Sequence, residues 1–179
     1  MKVVIDTSSL LSLVRYYLPF DRNKILFDFI KAKIENKEII ILDEVFRECS
    51  YTSKGIVVST LDYIKLKKNQ VKTTDLLPTR KFFNQLENNF INATLRNKLS
   101  DVEFESRKNA FLESADAKLL LYGQANSLEE IVIVSEETES SNDNKSFKKL
   151  PAICKFLNLE IKTLPQLLER YDEIYVEFK

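Results

Sequence analysis

Carboxylates are the residues whose types and spacing could do chemistry in this chain. Asp6 ends the apolar run Val3-Val4-Ile5 and is followed at once by Thr7, Ser8 and Ser9. Asp43, Glu44 and Glu48 follow a second apolar run at residues 39–42. Asp116 opens the segment that leads into a third run at residues 131–134, after which come Ser135, Glu136 and Glu137. Apolar on both faces, these runs predict buried parallel strands. Ligands of parallel sheets bind outside the carboxyl ends of the strands, so the acids are expected to share one edge. Converging carboxylates repel one another, and a divalent cation between them relieves that cost. Carboxylates, hydroxyls and water, with no nitrogen ligand, suit Mg²⁺ or Mn²⁺ better than zinc.

Composition narrows the classes further. The 179 residues contain no histidine, which removes Ser-His-Asp and Cys-His catalysis and histidine-based metal sites. Two glycines, Gly55 and Gly123, cannot write a GxGxxG or Walker A loop, so no nucleotide cofactor is expected. Lysine plus arginine and aspartate plus glutamate each total 27. Any nucleic-acid grip must then come from local basic clusters rather than overall charge. Cys49 and Cys154 lie far apart and read as small core residues with reduced thiols. No signal peptide and no apolar run long enough to span a bilayer is visible, so a cytoplasmic protein is expected.

The elements that must position the acids follow from the pattern. Residues 2–5, 38–42, 130–135 and 159–162 read as strands. Helical spacing appears at 7–14, 22–36, 43–51, 114–122 and 164–171, and Pro151 opens a short helix. Residues 56–112 form the middle, with helical periodicity at Leu61, Ile64 and Leu66 and at Phe82, Phe83, Leu86 and Phe90, and no strand pattern. Asp43 is expected to cap the helix that follows it, and Ser100 to cap a helix toward Leu112. The expectation is one α/β domain over 1–179: a parallel sheet of four to five strands with a helical insertion, about 56–112, between the second and third strands. Residues 173–178 alternate and read as an extra strand or a partner-binding segment.

Each acid also has a plainer reading. Asp6 could cap the first helix, and Asp116 could be a helix N-terminal charge. Glu44 and Glu48 share a helix face, and Glu44 can compensate the helix dipole, which leaves Glu48 for the site. Glu136 and Glu137 could be solvated loop charges. Among the basic clusters, Lys145, Lys148 and Lys149 follow the acidic loop and are the first choice for phosphate contact.

The run Val4-Ile5-Asp6-Thr7-Ser8-Ser9-Leu10 resembles the opening of PIN-domain nucleases. The resemblance continues in order through Glu48 in Asp43-Glu44-Val45-Phe46-Arg47-Glu48, Asp116 in Ser114-Ala115-Asp116-Ala117-Lys118, and Ile133-Val134-Ser135-Glu136-Glu137. It extends through Leu150-Pro151-Ala152-Ile153-Cys154 to Leu159-Glu160-Ile161, as in one PIN-like subfamily of bacterial and archaeal genomes. It implies a three-layer α/β/α fold and a Mg²⁺- or Mn²⁺-dependent endoribonuclease, in many relatives the toxin of a toxin–antitoxin pair and a homodimer. By that resemblance, Asp6, Glu48 and Asp116 hold metal with Glu137 or Asp143 as the fourth acid. Thr7, Ser8 and Ser135, with Glu44 and Glu136, are the supporting set. A second reading is a PIN-like scaffold that binds RNA or protein without cutting. A haloacid-dehalogenase-like phosphatase needs an aspartate at position 8, which is serine. A response-regulator receiver needs an acidic pair after the first strand, where Asp6 stands alone.

Overall fold

A computed structural model of the chain describes residues 1–139 and 145–174. Its centre is a five-stranded, all-parallel sheet flanked by helices in a three-layer α/β/α arrangement. The strands are β1 (Lys2–Ile5), β2 (Ile39–Leu42), β3 (Gln70–Val71), β4 (Ile131–Val134) and β5 (Glu160–Lys162). They lie in the order β3-β2-β1-β4-β5. Val3 and Val4 of β1 stand opposite Ile39 and Ile40 on one side and Val132 and Ile133 on the other. Apart from Lys2 at the start of β1, the inner strands are buried throughout, which is why they are otherwise Val, Ile and Leu. The edges, β3 and β5, are short and carry polar residues, which discourages edge-to-edge pairing.

The helices are α1 (Thr7–Ser12), α2 (Ile25–Glu35), α3 (Asp43–Tyr51), α4 (Ile56–Thr60), α5 (Arg80–Gln85), α6 (Ala93–Arg96), α7 (Asp101–Leu112), α8 (Ala115–Ala125), α9 (Leu150–Leu157) and α10 (Leu164–Leu168). Helix α8 is buried nearly all round, with Ala115, Ala117 and Leu119 to Leu121 inside, as an apolar central helix must be. A Cβ on its Gly123 would sit 3.2 Å from the Leu159 side chain, so glycine allows the close approach of α8 to the start of β5.

The chain leaves β1 toward β2 and β3, then returns to the other side of β1 to form β4 and β5. The strand order therefore switches between β1 and β4. Such a switch point opens a crevice at the carboxyl edge, and Asp6 and Ser135 are the residues that follow those two strands.

Two expectations need correction. The middle segment is not wholly helical: Gln70 and Val71 pair with Ile41 and Leu42, so the insertion contains the third strand and its helices precede the fourth. Asp43 does not cap α3, which it begins. Its carboxylate instead accepts hydrogen bonds from the Thr73 N–H (3.1 Å) and hydroxyl (2.6 Å), fastening the chain just past β3. Ser100 does cap α7, reciprocally with Glu103.

The insertion belongs to the main core. Phe82 and Phe90 are fully buried, meet edge to face at 5.5 Å, and join the same apolar cluster as the strands. Ile91 also pairs antiparallel with Phe147, flanked by bonds from Asn92 N–H to Ser146 O (2.9 Å) and Lys148 N–H to Phe90 O (2.7 Å). The basic segment after the acidic loop is thereby tied to the insertion. Among the described residues, no helix is long and apolar enough to cross a membrane.

Candidate active site

Asp6 is buried where β1 turns into α1. Its extended backbone places the carboxylate over the open N–H groups of the helix start. Oδ1 accepts from the Thr7 N–H at 2.6 Å. Oδ2 accepts from the Ser8 hydroxyl at 2.6 Å and the Ser135 hydroxyl at 2.9 Å. Asp6 is thus both the helix cap and the centre of a hydroxyl cluster that joins the ends of β1 and β4. The cap does not exhaust its acceptors: Oδ1 keeps a lone pair.

Helix α3 brings Glu48 to the same place, where its Oε2 accepts from the Thr7 hydroxyl at 2.8 Å. Burial pushes the Glu48 carboxyl above its ordinary range; the Thr7 hydrogen bond opposes this, and the charges of Asp6 and Glu137 add to it. Glu44, one turn earlier, pairs with Arg47. Replacing Thr7 with valine removes a donor to the charged form, so Thr7→Val is expected to raise the Glu48 pKa further. A carboxyl NMR titration reads this directly, and an unchanged or lower value would contradict it.

Asp116 lies in the first turn of α8, whose N-terminus is capped by the Ser114 hydroxyl at 3.3 Å. Among the described residues its carboxylate has neither a hydrogen-bond nor an ion-pair partner. Its pKa is pushed up to about 7, first by burial and then by the negative charges of Asp6, Glu137 and Glu48, with Lys145 pulling the other way. The four acids therefore feel one another across the carboxyl edge of the sheet.

Glu137 alone of the four has a cation within ion-pair distance among the described residues. Its Oε2 accepts the Leu150 N–H at 3.1 Å, capping α9, and Lys145 lies 3.7 Å from Oε1. Its own N–H donates to the Ser135 hydroxyl at 3.2 Å. Glu136 turns aside: its Oε1 accepts the Leu164 N–H at 2.6 Å, at the start of α10, and the Ser9 hydroxyl at 3.4 Å. Its N–H bonds the Ser8 hydroxyl at 3.0 Å, so it braces the site through the backbone. Asp143, the rival fourth acid, lies outside the described residues, as does most of the 173–178 tail.

The donor set fits a hard divalent cation in its chemistry: oxygen only, negative, partly desolvated, and including one carboxylate without a partner. Among the described residues no group of three acids is close enough to enclose a metal ion. Mg²⁺ commonly binds through one or two carboxylates and keeps waters or substrate phosphate for the rest, so it does not require three enclosing acids.

Asp116 also opens onto a cleft of about 310 Å³ whose lining includes Arg107, Phe147, Lys145, Lys148 and Lys149. The three lysines singled out from sequence thus share one wall with an acid of the cluster. Lys148 lies over the Phe156 ring at 4.6 Å. Arg107 carries no sequence signal, because its partner Ser146 is 39 residues away; the bond from its Nη1 to the Ser146 hydroxyl is 2.6 Å. Phe111 and Phe147 stack beside it at 4.6 Å.

No curated protein and no solved structure is similar enough to this chain to match. The profile of one family, described as a domain of unknown function and named DUF4411, matches residues 3–174. That is nearly the whole chain, and it includes all four clustered acids, Asp6, Glu48, Asp116 and Glu137. The chain belongs to the DUF4411 family.

Proposed function

We propose that this chain is a Mg²⁺- or Mn²⁺-dependent endoribonuclease of the PIN-like kind, working at the carboxyl edge between β1 and β4. The observation that carries the reading is the state of the acids. Asp6, Glu48 and Asp116 gather at a topological switch point, and among the described residues none of them has a lysine or arginine within ion-pair distance; Lys145 acts on Glu48 and Asp116 only from farther off. An inert scaffold would neutralise such charges with lysine or arginine; only Glu137 has one, at 3.7 Å.

In this reading one or two of Asp6, Glu48 and Asp116 would hold the cation directly and the others through water, with Glu137 beside them. Once bound, the ion would supply an activated water and neutralise charge on the phosphate. The chain's own groups do the positioning. The Ser8 and Ser135 hydroxyls and the Thr7 N–H fix the Asp6 carboxylate, and the Thr7 hydroxyl fixes Glu48. Lys145 stands where it can meet a phosphate oxygen. Hydrolysis in line would leave 5′-phosphate and 3′-hydroxyl ends, and no step needs a histidine.

The buried free thiols of Cys49 and Cys154, both pushed up to about 12 by burial, suit a cytoplasmic setting in which neither reacts. A homodimer and a protein antitoxin belong to the same proposal by the resemblance. The test is incubation of a mixed RNA pool with Mn²⁺ or Mg²⁺, beside EDTA and Asp6→Asn controls. Cleavage that needs metal and is lost in Asp6→Asn is the expected result. Folded protein that leaves RNA intact with either metal would contradict the reading.

A further inference from the structure

The cleft next to Asp116 holds a cation that the acid cluster does not use. Arg107 projects from α7, within the insertion, and is exposed. Of its five donors, one is committed to the Ser146 hydroxyl. Among the described residues no carboxylate lies within ion-pair distance of its guanidinium. The neighbouring lysines are engaged as well: Lys145 is drawn to Glu137, and Lys148 lies over Phe156, while the charge of Arg107 reaches Glu103 on its own helix only from beyond ion-pair distance.

The wall that carries this cation is tied down at several points. Phe111 stacks on Phe147, Ile91 bridges to Phe147, and backbone bonds on both sides lock residues 146–148 against residues 90–92. An arginine fork held on such a wall, with free donors, matches a phosphate better than a mobile lysine does. The cleft volume, about 310 Å³, sits at the low end of ligand-pocket sizes. That volume is on the scale of a single nucleotide, which favours a single strand over a duplex.

We propose that Arg107 binds a backbone phosphate of single-stranded RNA beside the one to be cut, making the cleft between α7 and residues 145–149 the track of the substrate strand. The inference rests on the ribonuclease reading of the acid edge. It also gives the insertion a part in binding, since helix α7 supplies one wall of the substrate track.

Anisotropy titration of a labelled single-stranded RNA in EDTA, over a range of salt, tests it without requiring cleavage. Arg107→Gln is expected to weaken binding about 5- to 10-fold near 0.1 M salt. It should also flatten the plot of log affinity against log salt by about 0.7, one single-strand phosphate contact. Arg107→Lys should fall between the variant and the parent. Ser146→Ala removes the Arg107 hydrogen bond but keeps the charge, and should preserve the slope. An unchanged slope in Arg107→Gln would overturn the inference, as would equal losses in Arg107→Gln and Ser146→Ala, which would mark a purely structural role. No RNA binding by the parent chain would overturn it too. Cleavage of the same RNA by the parent chain with Mn²⁺ is read separately. A lost phosphate contact in a chain that never cuts would leave the track standing and remove only the hydrolysis.

Discussion

Asp116→Asn is expected to abolish metal-dependent RNA cleavage, by about 10³-fold or more, while making the metal-free protein more stable at neutral pH. The loss follows from removing a proposed cation ligand, a contribution of about 4 kcal/mol to the barrier. The gain follows from electrostatics. The folded-state pKa of Asp116 is about 7, against an ordinary value of 3.8, because burial and the charges of Asp6, Glu137 and Glu48 disfavour its anion. A raised carboxyl pKa means that the native state binds the proton more tightly than the unfolded chain does. The native state keeps its full stability from this group below pH ~4 and loses it as pH rises through about 7. A shift of this size corresponds to at most about 4 kcal/mol. Asparagine keeps the shape without the charge, so the penalty disappears.

A gain of about 2 kcal/mol would lift the melting temperature by roughly 4–8 °C for a chain of this size. Melting curves in EDTA at pH 5 and pH 8 check the sign. The parent chain should lose stability between them, and Asp116→Asn should lose less. Added Mn²⁺ should recover the parent at pH 8 and leave the variant unmoved. A variant less stable than the parent at pH 8 without metal would show that Asp116 is a structural acid with an unseen partner.

The second large effect lies away from the acids. Phe82→Ala is expected to cost about 3–5 kcal/mol, the usual range for truncating a fully buried phenylalanine. The melting temperature should fall by roughly 6–20 °C. The reason is that Phe82 packs on Phe90 in the same cluster as the strands, so its cavity opens in the main core. Residues 146–148 are tied to residues 90–92, so the basic wall of the cleft should loosen with it. Proteolysis near residues 145–149 should speed up in the variant. A loss under about 1 kcal/mol, with unchanged proteolysis, would mean that the insertion packs apart from the sheet.

Much of this architecture is legible in the residues, and the misses have physical causes. The inner strands β1, β2 and β4 are buried on both faces, so their sequences are continuous apolar runs that declare themselves. Strand β3 is two residues long, Gln70 and Val71, and exists because β2 offers it a partner; nothing local marks it. Asp43 has the position of a helix cap, and tertiary structure uses it to hold Thr73 instead. Among the site residues, Asp6 and Asp116 are visible because each sits at an element boundary with capping hydroxyls close by. The spacing of Glu44 and Glu48 says that one of them faces the site. The Thr7 hydroxyl on Glu48 and the Arg47 pair on Glu44 show which. Arg107 is not legible, since the cleft that uses it is assembled from helix α7 and a loop far along the chain.

The proposed chemistry stands or falls on whether the edge between β1 and β4 holds a divalent cation. Counting Mn²⁺ bound to the purified, metal-stripped chain, by electron paramagnetic resonance of the free ion, tests it most directly. One or two ions are expected to bind at neutral pH. Binding should be lost in both Asp6→Asn and Asp116→Asn and weakened about 10-fold in Thr7→Val, as a residue that orients a ligand requires. A folded parent chain that binds no Mn²⁺, or that binds it equally well after either substitution, would contradict the proposal.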